Sequence, residues 1–117
     1  MRVAATALWL PLATTASASA GERVYSLCKA CHALEPGAGP MVGPGLHGLL
    51  GRPAGTLAGF AFSPALRQSG IVWDEAGLDR FLADPRRAVP GNRMAFPGVR
   101  RAEDRRALID FLKQSTK

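Results

Sequence analysis

Two cysteines are separated by two residues and followed directly by a histidine: Cys28, Cys31 and His32. On a helix, residues three and four positions apart lie on the same face, so both thiols and the imidazole point the same way. Two thiols at this spacing can add to the two vinyl groups of one haem, and the adjacent imidazole can reach its iron. The motif therefore predicts one covalent c-type haem, with Cys28 and Cys31 as attachment points and His32 as an axial ligand.

Other sites fit the same three residues less well. A thioredoxin-like site needs a strand–helix–strand setting, and no alternating strand pattern of useful length accompanies the motif. A zinc site needs a fourth ligand, and the chain has no second cysteine pair. A plain disulfide would leave His32 and the loop-rich sequence after it without a role.

The rest of the chain predicts short helices and long loops. Residues 35–59 contain eight Gly and four Pro, so turns should dominate there. So long an irregular segment becomes reasonable in a small domain if it wraps around a group other than protein. Periodicity and capping residues predict helices over residues 22–34, 64–69, 75–83 and 102–114. We expect an all-α fold of four to five short helices and long loops, wrapped around one covalently bound haem.

The first twenty residues have the layout of a leader. Arg2 gives a positive start, residues 3–12 are mostly apolar, and small residues follow in an Ala-x-Ala pattern. This predicts a signal peptide, residues 1–20, cleaved after Ala20, and one domain, residues 21–117. A membrane anchor is the alternative, but the segment is short and weakly apolar. We expect a soluble periplasmic protein, with cleavage or retention of the leader left open.

The iron needs a second axial ligand unless it binds small molecules. Met94 lies 62 residues after His32, far enough for the chain to encircle the haem and return to the opposite face. Met41 lies nine residues after His32, in a loop that begins on the same side. Spacing favours Met94, while Met41, His47 and the absence of a protein ligand stay open, and a lone methionine can also be core filler.

Five further stretches carry a family resemblance. They are residues 21–25 (GERVY), 42–52 (VGPGLHGLLGR), 70–73 (GIVW), 84–87 (DPRR) and 90–98 (PGNRMAFPG). Together with the cysteine motif, and in register over nearly the whole predicted domain, they resemble class I cytochrome c of the mitochondrial and bacterial periplasmic type.

The resemblance implies roles for particular residues around the haem. Met94 would be the second axial ligand of the iron. The carbonyl of Pro44 would accept the second ring N–H of His32 and so fix the imidazole. Trp73 and Arg52 would donate hydrogen bonds to a buried haem propionate.

The resemblance also pairs the first helix with the last one. Gly21 would allow close approach, and Tyr25 would pack against Leu108 and Phe111.

Three positions depart from the family pattern. Phe81 stands where many relatives have tyrosine, Leu66 where asparagine is common, and Asn92 where threonine is common. Phe81 and Leu66 remove polar groups from the distal side of the haem, which should change the redox potential in a direction that the sequence does not give.

With both axial positions filled, Fe(III)/Fe(II) cycling is the available chemistry, so the resemblance implies a one-electron carrier and not an enzyme. A peroxide-processing or gas-sensing haem protein with an open sixth position is one alternative. A dedicated subunit of one periplasmic dehydrogenase or oxidase is another.

Charge is unevenly distributed in this basic chain, whose net charge is +6. Between Arg86 and Arg106 there are seven arginines and two acids. Several of these guanidinium groups are expected to ring the exposed haem edge and to steer redox proteins with acidic docking faces. The expected partners are a cytochrome bc-type complex, a terminal oxidase, a reaction centre or a periplasmic dehydrogenase. Nucleic acid, a membrane span after cleavage and self-association are not expected.

Overall fold

The computed structural model describes residue 4 and residues 20–117. The predicted signal peptide therefore lies outside the described residues, apart from Ala4 and Ala20. Across the described part, the chain forms five helical segments and one isolated β-bridge, with no longer strand. Helix α1 is described over residues 20–25, and the others are α2 Pro64–Arg67, α3 Glu75–Ala83, α4 Pro85–Ala88 and α5 Ala102–Ser115. The predicted all-α class is confirmed.

The first helix ends earlier than predicted. Instead of continuing over residues 22–34, it gives way to turns at residues 26–31. The amides of Leu27 and Cys28 bond carbonyls three residues back, at 3.1 and 2.8 Å, which winds the chain more tightly than an α-helix. The amide of His32 then bonds the Cys28 carbonyl at 3.0 Å, four residues back. One α-helical turn therefore still joins the first cysteine to the histidine.

Side-chain caps begin the middle helices where the sequence predicts them. Ser63 accepts a hydrogen bond from the amide of Leu66 at 3.1 Å and begins α2. That helix ends at Arg67, two residues earlier than predicted. Asp74 accepts from the amide of Gly77 at 2.7 Å and begins α3, whose predicted bounds are confirmed.

The one-turn helix α4 is absent from the sequence prediction. Pro85 ends α3 as expected, but it also occupies the first position of a new helix, where its missing N–H costs nothing. The carboxylate of Asp84 accepts from the amide of Arg87 at 3.2 Å and caps this helix.

The core forms where α3 and α1 pack against α5. Leu108, Ile109 and Leu112 of α5 are buried together with Leu78, Phe81 and Leu82 of α3. The rings of Tyr25 and Phe111 lie 5.2 Å apart, so α1 packs on α5 as the resemblance implied. A Cβ on Gly21 would lie 2.6 Å from the Cβ of Phe111, which explains the glycine. Within the part of the chain described here, no helix is long and apolar enough to cross a membrane.

Candidate haem site

A cavity of about 430 Å³ lies between the helices and the loops. Its volume is within the range of small-molecule sites, roughly 300–1,000 Å³. Much of its wall is apolar, formed by Leu46, Leu49, Leu57, Phe60, Phe62, Leu66, Leu78, Phe81 and Leu82. All seven residues singled out from the sequence line it: Cys28, Cys31, His32, Pro44, Arg52, Trp73 and Met94. Cys28 and Met94, which are 66 positions apart in the chain, thus line the same cavity.

The other candidates for the second axial ligand lie elsewhere. Met41 lines a second cavity of about 390 Å³, whose lining includes His32 and Tyr25 but neither cysteine. His47 lines neither cavity, and its buried Nδ1 has no hydrogen-bond partner among the described residues. Of the three candidates, Met94 alone shares the large cavity with the cysteine motif.

The imidazole of His32 is held in one orientation. Its Nδ1 lies 2.8 Å from the carbonyl oxygen of Pro44. Because a carbonyl oxygen can only accept, Nδ1 carries the proton, and Nε2 keeps a lone pair for a metal. Gly43 lies against the ring, where an added Cβ would be 2.5 Å from Cε1. The amide of Gly43 bonds the carbonyl of Cys31 at 2.8 Å and keeps the two segments side by side.

The hydroxyl of Tyr25 supports the same histidine from α1. It donates a hydrogen bond to the backbone carbonyl of His32 at 3.1 Å. Burial, with smaller contributions from the charges of Cys28 and Glu35, raises the pKa of Tyr25 to about 12. The hydroxyl therefore remains a donor at neutral pH. The resemblance implied only a packing role for this tyrosine.

The two thiols are free, and their surroundings differ from those of a reactive dithiol. Burial, and to a smaller extent the charge of Cys31, raises the pKa of the Cys28 thiol to about 11. Reactive cysteines have a lowered pKa instead, because a nearby cation or helix N-terminus stabilises the thiolate. Cys28 is therefore a neutral thiol facing an apolar cavity.

The isolated β-bridge brings Arg52 and Trp73 together. It joins Pro53 and Val72, and the amide of Trp73 bonds the carbonyl of Arg52 at 3.0 Å. The indole is buried, with its ring edge-on to Phe81 at 5.1 Å. The guanidinium of Arg52 donates to the carbonyl of His47 at 3.2 Å, and burial lowers its pKa. Burial thus disfavours the charged form of Arg52, and an anionic group in the cavity would stabilise that form.

These groups fit a haem. The cavity offers two thiols, one imidazole nitrogen with a free lone pair, one thioether sulfur and an apolar wall for a flat macrocycle. Arg52 and Trp73 add two donors suited to carboxylates. Each of these groups lies on the lining of the same cavity.

Asn92 is a site residue whose role the sequence did not reveal. It lines the cavity, and its side chain accepts a hydrogen bond from the amide of Met94 at 2.9 Å. An asparagine two residues before its backbone partner is an Asx-turn pattern, which could have indicated this contact.

Six of the seven arginines in the arginine-rich segment are exposed, and Arg105 is half-buried. Among these seven, Arg93 alone lines the cavity. Arg101 is paired with Glu103, and Arg105 with Asp79 of α3. The cavity lining thus contains two guanidinium groups, that of Arg93 and that of Arg52 from outside the segment.

An all-α fold whose loops enclose a cavity behind a Cys-x-x-Cys-His motif defines a class, the small c-type haem proteins. The chain is 48% identical over 89 residues to cytochrome c2 iso-2 of Magnetospirillum molischianum, covering 76% of this chain and 91% of the relative. It is 38% identical over 105 residues to cytochrome c of Nigella damascena, covering 89% and 95%. Cytochrome cH from Methylobacterium extorquens matches its structure with a TM-score of 0.77 and 45% identity, covering 83% and 97%. No family model matches the chain.

The chain belongs to the class I cytochrome c family. Members of this family are electron carriers with one covalent haem c, and they are not enzymes. The predicted family, electron-carrier function and cofactor are thereby confirmed. This chain is an electron carrier that exchanges electrons with redox partners.

Proposed function

We propose that this chain binds its haem through Cys28 and Cys31 and ligates the iron with His32 and Met94. Bound in this way, the haem iron supplies the Fe(III)/Fe(II) couple. The chain would then carry one electron at a time between membrane or periplasmic redox partners. A thioether ligand opposite an imidazole raises the reduction potential relative to more strongly donating ligand pairs.

One observation carries this assignment: the four proposed attachment and ligand residues line one cavity of about 430 Å³. Met41, the rival sulfur, lines another. Tertiary structure therefore supports Met94 by a criterion independent of sequence spacing.

The remaining residues of the site would orient the His32 imidazole and the haem, and would shield the haem from water. Pro44 keeps the proton of His32 on Nδ1, so Nε2 is available for the iron. Arg52 and Trp73, which flank the β-bridge and line the cavity, would donate to a propionate. The apolar side chains, Phe81 and Leu66 among them, exclude water and strengthen these polar contacts.

We further propose that partners dock at the mouth of this cavity. Arg93 is exposed there, and so are the apolar side chains of Leu27 and Val42. A face with carboxylates around an apolar centre would complement this surface. The expected partners are those of the sequence analysis: a bc-type complex, a terminal oxidase, a reaction centre or a periplasmic dehydrogenase. We propose that the chain works as a monomer in the periplasm after cleavage of a signal peptide at Ala20.

The proposed ligation is tested by Met94→Ala with Met41→Ala as the matched control. The ferric holoprotein should show the weak far-red charge-transfer band of an iron–thioether bond. Met94→Ala should abolish the band, lower the reduction potential and open the iron to CO, whereas Met41→Ala should leave all three unchanged. Loss of the band in Met41→Ala with its retention in Met94→Ala would refute the assignment.

A further inference from the structure

Asn92 uses both ends of its side-chain amide. Its Oδ1 accepts a hydrogen bond from the backbone amide of Met94 at 2.9 Å. Its Nδ2 donates to the carbonyl oxygens of Pro85 and Val89, both at 2.8 Å. A primary amide has two donor hydrogens and one acceptor oxygen, so each of its functional groups has a partner. The side chain is thereby a link between two backbone segments.

The two carbonyls belong to a rigid part of the fold. Pro85 is fully buried, and Val89 is buried in the core. The Pro85 carbonyl also accepts the amide of Val89 at 2.9 Å, which is the closing bond of α4. The Nδ2 of Asn92 therefore caps the C-terminal end of α4, a helix whose first residue, Pro85, is fully buried. Since α4 packs against α3, this link reaches the central helices of the molecule.

The backbone around Met94 is fixed on both sides. Before it, a turn over Pro90 and Gly91 is closed by the amide of Asn92 on the Val89 carbonyl, at 3.1 Å. Pro90 at the second position of the turn and Gly91, with φ of 91°, at the third position are typical of a type II turn. After it, the carbonyl of Met94 accepts the amide of Phe96 at 2.9 Å. Both polar groups of the Met94 backbone are thus bonded, while its side chain lines the cavity.

We infer that Asn92 is the positioning residue for Met94 and that it ties this loop to the C-terminal end of α4. The inference rests on the proposed ligation of the iron by Met94. A hydroxyl, as in the threonine common at this position, has one donor hydrogen and cannot bond both carbonyls. The amide holds the Met94 backbone against the core, so the thioether competes better with external ligands for the iron.

Imidazole, added to the ferric holoprotein at pH 7, tests this inference because it displaces an iron-bound methionine and removes the far-red band. Asn92→Ala should lower the imidazole concentration for half-displacement by about tenfold, the effect of losing hydrogen bonds at a partly buried site. Asn92→Asp keeps an acceptor for Met94 but turns a carboxylate oxygen towards the carbonyls of Pro85 and Val89, so it should shift the midpoint in the same direction. Gln68→Ala, which removes an exposed amide outside the cavity, should leave the midpoint unchanged.

Amide hydrogen exchange provides a readout that does not depend on imidazole. The Met94 amide should exchange faster in Asn92→Ala than in the wild type. A purely structural role would lower the urea midpoint of unfolding and leave the imidazole midpoint unchanged.

The possible outcomes separate this inference from the proposed function. A wild-type ferric protein without the far-red band would overturn the ligation by Met94 itself. A wild type with the band, and Asn92 variants with the wild-type imidazole midpoint, would overturn the role of Asn92 alone. If Asn92→Ala yields no holoprotein, the imidazole midpoint of Asn92→Asp is compared with that of the wild type instead. An unchanged midpoint would again overturn the role of Asn92.

Discussion

The hydroxyl of Tyr25 donates a hydrogen bond to the backbone carbonyl of His32, at 3.1 Å. On the ring of the same histidine, Nδ1 donates to the carbonyl of Pro44 at 2.8 Å. One contact comes from α1 and the other from the glycine-rich loop, so both the main chain and the ring of His32 are held. With iron bound to His32 as proposed, an imidazole held in this way would reorganise little when the charge on the iron changed.

Tyr25→Phe removes the first contact and keeps the aromatic packing on Phe111. We expect the free energy of unfolding to fall by about 1 kcal/mol, because a partly buried carbonyl loses its partner. Urea unfolding of the holoprotein measures this change. Ser26→Ala is the control: its exposed hydroxyl also bonds a backbone carbonyl, that of Arg23, and its loss should have a smaller effect. Equal stability of Tyr25→Phe and wild type would show that the Tyr25 hydroxyl contributes nothing.

Gly43→Ala places a methyl group against the imidazole of His32. The added Cβ would lie 2.5 Å from Cε1 of His32, so the ring or the loop must move. We expect a loss of about 1–3 kcal/mol in the free energy of unfolding, together with a shifted reduction potential. Gly45→Ala is the matched control, since its Cβ would meet only the carbonyl of Ala38, at 3.7 Å. Voltammetry and urea unfolding of both variants check this, and similar behaviour of the two would contradict it.

Covalent attachment predicts that the haem stays with the polypeptide. After denaturation in acid and extraction with an organic solvent, the haem should remain in the protein fraction. Replacing both Cys28 and Cys31 with alanine should leave little holoprotein, and the apoprotein should be largely unfolded because the cavity wall loses its packing partner. Release of the haem from the wild type into the solvent would refute the thioether bonds.

Arg93 is expected to dominate electrostatic docking within the arginine-rich segment. It is exposed and lines the cavity, whereas the charge of Arg101 is partly offset by its pairing with Glu103. At low ionic strength, Arg93→Glu should slow electron transfer with an acidic redox protein by about tenfold. Arg101→Glu should slow it less, and Lys117→Glu least. Stopped-flow kinetics at several salt concentrations measures these rates.

A wild-type rate that is independent of salt would contradict this role for Arg93. So would equal slowing by all three reversals. The exposed Leu27 and Val42 at the same mouth should support a part of the association that persists at high salt, because burial of apolar surface is not screened.

Much of this protein was determined by local sequence. The cysteine–histidine spacing is sufficient to predict covalent haem attachment without reference to the fold. Ser63 and Asp74 begin helices where the sequence predicts them, since a cap needs only a side chain within three residues of its amide. Periodicity also predicts the last helix, and its apolar residues Leu108, Ile109 and Leu112 are buried in α5.

Tertiary structure decided which distant residues meet. Met94 and Met41 are chemically alike, and only the path of the loops puts one in the large cavity and the other outside it. The seven arginines are close in sequence, yet Arg93 alone among them lines the cavity, while Arg101 pairs with Glu103 and Arg105 with Asp79. The role of Asn92 depends on carbonyls three and seven residues away that face it only after α4 has formed. Contacts of this kind depend on how the whole chain packs. The residues that a side chain meets across a cavity cannot be predicted from the periodicity of the sequence around it.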